Sequence, residues 1–194
     1  MEKQIESGCH WPGEDALMLA YHDQEWGVPL HDDQKLFEFL VLDAFQAGLS
    51  WKTILHKRKN FEQAFAKFDP KKVADFSKEK VESLMQDAGI IRNRLKITGT
   101  ISNAQCFLEV QKEFGSFDQY VWQFVHHQTI INNWESGTQI PAKSPESDAL
   151  SKDLKKRGFK FAGSTICYAF MQAAGMINDH LVGCPKHALI KQML

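Results

Sequence analysis

The chain carries two half-sites for a metal ion at its opposite ends. Cys9 and His22 stand in a C-x12-H spacing near the start, and His180 and Cys184 in an H-x3-C spacing near the finish. Neither pair binds well alone. Zinc takes four ligands, and two thiolates with two imidazoles are among its usual structural sets. If the halves join, the two ends are tied together and the chain must close on itself. Gly183 lies in the turn between His180 and Cys184, which suits two ligands facing one ion. A second reading stands beside this one, because a single Cys or His is more often a core or surface residue than a ligand. Cys106 and Cys167 sit in apolar helical runs and read as small buried hydrophobes.

Between the two ends, helical periodicity dominates. Apolar spacing predicts helices over 15–24, 33–46, 50–58, 60–68, 77–88, 92–114, 116–125, 145–157 and 164–174. Gly89 reads as the C-cap of the fifth. Gly99 weakens the long helix, and Ser116 to Gln119 reads as a capping box. Ser144 and Pro145 read as an N-cap followed by Pro at the first helical position. The helix over 164–174 is apolar on nearly all sides, as a core helix is. Residues 129–144 form the longest irregular stretch. No alternating strand, internal repeat, low-complexity tract or linker interrupts the pattern, so the expected class is all-α.

A length of 194 residues fits one domain over 1–194, or two small helical lobes with a pocket between them. The 43% hydrophobic content supplies a proper interior. No apolar run reaches membrane-spanning length and no export signal precedes Cys9. With only four cysteines, these features point to a reducing cytoplasm and to a chain, expected as a monomer, without a disulfide framework. The net charge of -1 does not announce a nucleic-acid partner, but its distribution is uneven. Residues 14–43 are acidic, and 52–59, 92–96 and 152–160 are basic. A neutral chain can still present one positive face.

Two constellations carry chemistry. Leu154 to Gly163 joins two predicted helices through a short turn bounded by Gly158 and Gly163. A helix-hairpin-helix uses such a turn to aim backbone N–H groups at a phosphate, and the next helix adds its dipole. Lys160 supplies charge and Ser164 opens that helix. The plain alternative is an ordinary helix connection with a solvated basic face. The second constellation is aromatic: Trp11, Tyr21, Trp26 and Trp51, with the carboxylate of Asp43 just ahead of the turn before Trp51. Aromatic faces can hold an extruded nucleobase, although most aromatics in a helical protein are core.

Five stretches in order carry a family resemblance: Tyr21 to Pro29 (YHDQEWGVP), Gln46 to Trp51 (QAGLSW), Asp87 to Arg94 (DAGIIRNR), Leu154 to Phe161 (LKKRGFKF) and Asn178-Asp179-His180. Together they resemble the bacterial 3-methyladenine DNA glycosylase I family, TAG, over nearly the whole chain. The resemblance implies an all-helical helix-hairpin-helix glycosylase with a structural zinc on Cys9, His22, His180 and Cys184. It implies a substrate of double-stranded alkylated DNA, with 3-methyladenine flipped out, cleaved from its sugar and released as product. By position, Trp51 matches the family's stacking tryptophan, Tyr21 a pocket tyrosine and Trp11 a neighbouring aromatic. The base-reading glutamate falls on Asp43, one methylene shorter, and a second pocket tyrosine falls on Met18. Where the family has Glu-Gly-Gln-Gln, this chain has Asp43-Ala44-Phe45-Gln46, which brings Phe45 to the recognition site. The turn of Gln46, Gly48 and Leu49 is expected against DNA, as are Gly158, Lys160, Gly163 and Ser164. Asn178 and Asp179 receive no catalytic role. Two other classes stay open: a DNA-binding protein of this descent that no longer cleaves, and a zinc-stabilised helical interaction module.

Overall fold

The structure is a computed structural model that describes residues 8–194. Among these residues helices dominate. Side-chain caps start most helices, because the first N–H groups of a helix lack internal partners. Asp15 opens α1 (Ala16–Gln24), Asp32 opens α2 (Asp33–Gln46) and Ser50 opens α3 (Trp51–Ala64). α4 (Pro70–Ala74) and α5 (Lys78–Gln86) follow, capped by Asp69 and Ser77. Asn93 opens α6 (Arg94–Phe114) and Ser116 opens α7 (Phe117–Trp122). The last three are α8 (Pro145–Lys156), α9 (Ser164–Ala173) and α10 (Pro185–Met193).

Several boundaries depart from the periodicity. The predicted pair over 50–58 and 60–68 is one helix followed by a 3-10 turn at Ala66–Phe68. The helix runs through Asn60 because that amide donates to the carbonyl of Gly89 and need not compete with its own backbone. α5 ends at Asp87, whose Oδ1 accepts from the Gly89 N–H at 2.7 Å, so Gly89 is not the cap. Pro70 begins a helix of its own rather than merely ending the previous one. Within the irregular stretch, β1 (Ile130–Ile131) pairs in parallel with β2 (Ile177–Asn178). Two residues per strand show no alternation, so this pairing leaves no trace in the sequence.

α2 is the axis of the core. All residues from Leu36 to Phe45 are buried, and the helix packs against α3, α6, α7 and α9. The far end of α2 is held by Lys96, whose Nζ donates to the carbonyls of Phe45 at 2.7 Å and Ala47 at 2.6 Å. This buried cation satisfies carbonyls that a helix C-terminus leaves open. Two glycines allow close approaches. A Cβ on Gly99 would stand 3.0 Å from the Phe161 ring, so Gly99 lets the α8–α9 connection lie on α6. Gly175, at φ +68°, has the Val28 carbonyl carbon 2.2 Å from where its Cβ would be. That contact packs the segment after α1 onto the end of α9.

Candidate active site and metal centre

The four half-site residues meet. One ligand atom from each of Cys9, His22, His180 and Cys184 lies within 4.8 Å of the other three. Cys9 Sγ stands 3.7 Å from His180 Nδ1, and Cys184 Sγ stands 3.6 Å from that nitrogen and 3.8 Å from His22 Nε2. A tetrahedral ion bound at ordinary zinc distances separates sulfur from nitrogen ligands by about 3.6 Å. The second ring nitrogens are used as well. His180 Nε2 donates to the Trp26 carbonyl at 2.9 Å, which leaves Nδ1 facing the cluster. His22 Nδ1 lies 2.8 Å from Asp23 Oδ1, which leaves Nε2 for the cluster. Such outer partners set the tautomer of a metal-binding histidine. Burial lowers His180 to about 4, which keeps the imidazole neutral, and pushes the Cys9 thiol up to about 12. A buried thiolate here therefore requires a cation. The cluster can hold a metal ion, and its donor set suits one with tetrahedral sulfur and nitrogen preference.

Trp26 connects this centre to a cavity of about 360 Å³, a small-molecule size. Its indole packs edge-on against the His180 ring at 4.6 Å and against Trp11 at 5.0 Å. The cavity is walled by Trp11, Tyr21, Trp26, Asp43, Gln46 and Trp51, and closed by residues of the irregular segment and of α9. Tyr21 and Trp51 touch, with centroids 5.0 Å apart at 48°. A base sandwiched between two rings needs about 7 Å, twice a carbon–carbon contact distance. The gap between these two rings is therefore closed, and the open volume lies beside them.

Asp43 is the most costly group in the wall. It is 3% exposed, and its Oδ2 is buried without a hydrogen-bond partner. Burial raises its pKa well above the usual carboxylate range. Trp51 Nε1 is likewise buried and unpartnered. An unsatisfied acceptor and an unsatisfied donor in one apolar wall destabilise the free protein and suit a polar ligand.

The remaining expected residues sort clearly. Gln46 is in the wall, and Gly48 and the 40% exposed Leu49 form the turn beyond it. Phe45 is not in the wall. Two residues after Asp43 on a helix means a rotation of about 200°, and its fully buried ring packs on Phe61 and Phe65. Met18 is buried in the core cluster and does not line the cavity. The expectation of a pocket made more apolar by these two side chains is corrected accordingly. Sequence reasoning missed Gly137, Ile140, Ala169 and Gln172. Only Gln172, polar within an apolar helix, carried a signal.

In two of the basic stretches, one arginine is taken up by acidic partners. Arg58 makes a two-point contact with Glu25 and a third bond to Glu38, and Arg94 pairs with Glu82. In the third, Arg157 is held by Glu113 and Asp153, while Lys160 projects exposed from the α8–α9 connection. There Gly158 has φ +97° and Phe161 φ +55°. No side chain caps α9 after Gly163. The Lys160 N–H is taken by Asn103 Oδ1 at 2.6 Å.

A sequence profile of the methyladenine glycosylase family matches residues 11–187. The chain belongs to that family. Among its relatives, the DNA-3-methyladenine glycosylase 1 of Escherichia coli (strain K12) is 53% identical over 176 residues, covering 91% of this chain and 94% of that one. The DNA-3-methyladenine glycosylase of Haemophilus influenzae is 46% identical over 177 residues, covering 91% and 96%. The solved structure of 3-methyladenine DNA glycosylase I from Staphylococcus aureus, described for its recognition of 3-methyladenine, superposes with a TM-score of 0.91 at 36% identity, covering 94% and 97%. The cavity and the Cys/His cluster thus belong to a methyladenine glycosylase fold.

Proposed function

We propose that this chain is a base-excision repair glycosylase that flips 3-methyladenine out of alkylated double-stranded DNA and hydrolyses its N-glycosidic bond. The observation that carries this reading is the unpartnered, buried carboxyl of Asp43 in an aromatic cavity, within a chain of this family. Methylation at N3 makes the base cationic and a good leaving group. The C1′–N9 bond breaks with its electron pair going to the base, leaving it neutral, and water adds at C1′ and releases a proton to solvent. Free 3-methyladenine and an abasic site result. The electron-rich rings favour the cation, and the arriving charge favours the ionised form of Asp43, which accepts hydrogen bonds from the base edge. The base occupies the open volume against Trp11, Trp26 and Trp51, not the closed gap between Tyr21 and Trp51. Extrusion costs a few kcal/mol, least for a weakened pair.

The α8–α9 connection is read as the helix-hairpin-helix. Its phosphate contact comes from the Lys160 ammonium and from the uncapped N–H groups at Ser164 and beyond, which meet an anion along the helix dipole. Gly158 and Gly163 shape that turn, while Gly48 and Leu49 stand on the DNA side of the pocket. The Cys9, His22, His180 and Cys184 cluster is read as a structural zinc site. Two thiolates and two neutral imidazoles balance the ion's charge, as a buried staple requires. On this reading the chain acts as a cytoplasmic monomer and forms one domain. Among the described residues, no helix is long and apolar enough to cross a membrane.

The test is methylation-dependent formation of abasic sites. Methylated duplex treated with the protein should break at new positions on alkali treatment, and unmethylated duplex should not. Binding without breaks would mark a non-cleaving DNA binder, and absence of binding a zinc-stabilised interaction module.

A further inference from the structure

Gln172 and Asp179 have no part in the chemistry above, yet they meet at the cavity wall. Asp179 is fully buried. Its Oδ1 accepts from Asn132 Nδ2 and Trp134 Nε1, both at 2.7 Å. Its Oδ2 accepts from the Tyr168 hydroxyl at 2.6 Å and from Gln172 Nε2 at 2.7 Å. A carboxylate surrounded by four donors is filled as an acceptor and has nothing to donate. This determines which way the Gln172 amide faces. Reversed, it would set Oε1 against Asp179 Oδ2, two acceptors with no proton between them. Nε2 therefore faces Asp179, and Oε1 is left over. The Gln172 backbone is held as well, since its carbonyl accepts from the N–H groups of Gly27 at 3.0 Å and Gly175 at 3.2 Å. Gln172 lines the cavity with Asp43 and Trp51, and its Oε1 receives no hydrogen bond from the described residues.

We propose that Gln172 is a specificity-determining residue of the base pocket, an acceptor locked in one orientation by Asp179 that reads the exocyclic amino group of a 6-aminopurine. The proposal rests on the base-excision reading and deepens it. An amino group carries two N–H donors, and Gln172 Oε1 can take one of them, beside Asp43 and Gln46 in the same wall. A 6-oxopurine presents a carbonyl oxygen instead, which the fixed Gln172 Oε1 would repel. A site built to bond a donor rejects an analogue lacking it far better than an apolar slot rejects a change in size. Asp179 is then a positioning residue. It also ties Asn132 and Trp134 to α9, and so holds the segment that closes the cavity.

The experiment measures binding of free 3-methyladenine and of 3-methylhypoxanthine, its 6-oxo counterpart, by quenching of tryptophan fluorescence. Wild type should prefer the amino base by at least tenfold. Gln172→Met should weaken 3-methyladenine about tenfold and the 6-oxo base hardly at all, the loss of one bond to a matched donor. Tyr168→Phe removes a different donor from Asp179 and should keep the preference, which separates base reading from general loosening. If Gln172→Met does not fold, Gln172→Ala removes the same amide from the helix. Equal weakening of both bases, or an unchanged preference, would overturn the role of Gln172 while leaving the base-excision reading intact. A wild type that binds neither base would overturn both together.

Discussion

Replacing Asp43 by Asn should make the protein more stable and less active at once. The carboxyl is buried, lacks a partner at Oδ2 and has its pKa raised by burial. A raised folded-state pKa means that the native protein binds more protons than the unfolded chain at every pH above the unfolded value, near 3.9. Stability contributed by this group therefore falls as pH rises from that value towards the folded-state pKa. The loss is at most about 1.36 kcal/mol per pH unit, so its ceiling between pH 4 and pH 7 is about 4 kcal/mol. Asn has no proton to lose and removes that loss. Relative to wild type, its melting temperature should gain up to about 16 °C between pH 4 and pH 7, at 2–4 °C per kcal/mol for a chain of this size. Thermal melts of both proteins at the two pH values read this directly. Comparing the shifts cancels every other titrating group and any packing difference that is the same at both pH values. Single-turnover base release at pH 7 should fall in the same variant, because the charge that meets the cationic base is gone. A melting shift that is the same at pH 4 and pH 7, or a variant as active as wild type, would refute the assignment of Asp43 as an unpaired, base-facing carboxyl.

Other substitutions test the frame around it. Cys9→Ser should abolish stoichiometric zinc by elemental analysis and lower the melting temperature by at least about 10 °C, since metal binding and folding free energy are linked. It should also shift the tryptophan emission, because Trp26 packs on His180 and lines the cavity. Lys160→Glu should weaken binding to all duplex sequences alike and flatten the slope of log K against log salt by about 1. Equal salt slopes would mean that this lysine touches no phosphate. Gly175→Ala should cost more than about 3 kcal/mol in urea unfolding, because the new Cβ meets backbone and the residue has positive φ.

The parts legible in the sequence are those with a local period or a chemical type. The helices of α2, α6 and α8 follow from apolar spacing and caps, and the paired Cys and His spacings pointed to the four residues that the fold gathers into one cluster. The misses have long-range causes. The pair predicted over 50–58 and 60–68 is one helix, because Gly89, distant in sequence, gives the Asn60 side chain a partner. Lys96 read as part of a basic surface but is the buried cap of α2. Arg58 and Arg94 read as positive face and are spent on Glu25, Glu38 and Glu82. Gly137 and Ile140 enter the cavity wall from a segment with no periodicity, anchored through Asn132 and Trp134 to Asp179. Phe45 is a different kind of error. The helical rotation from Asp43 already turned it away from the cavity, and positional matching to a family motif overrode that geometry.

The most direct test is to identify the base that leaves the DNA. Duplex methylated at purine nitrogens, incubated with the purified protein, should release free 3-methyladenine, detected by mass and separated by chromatography from 7-methylguanine. Release should be catalytic, with each abasic site matched by one free base and with 7-methylguanine remaining in the duplex. Intact methylated DNA recovered with bound protein, or release of 7-methylguanine in preference to 3-methyladenine, would contradict the account.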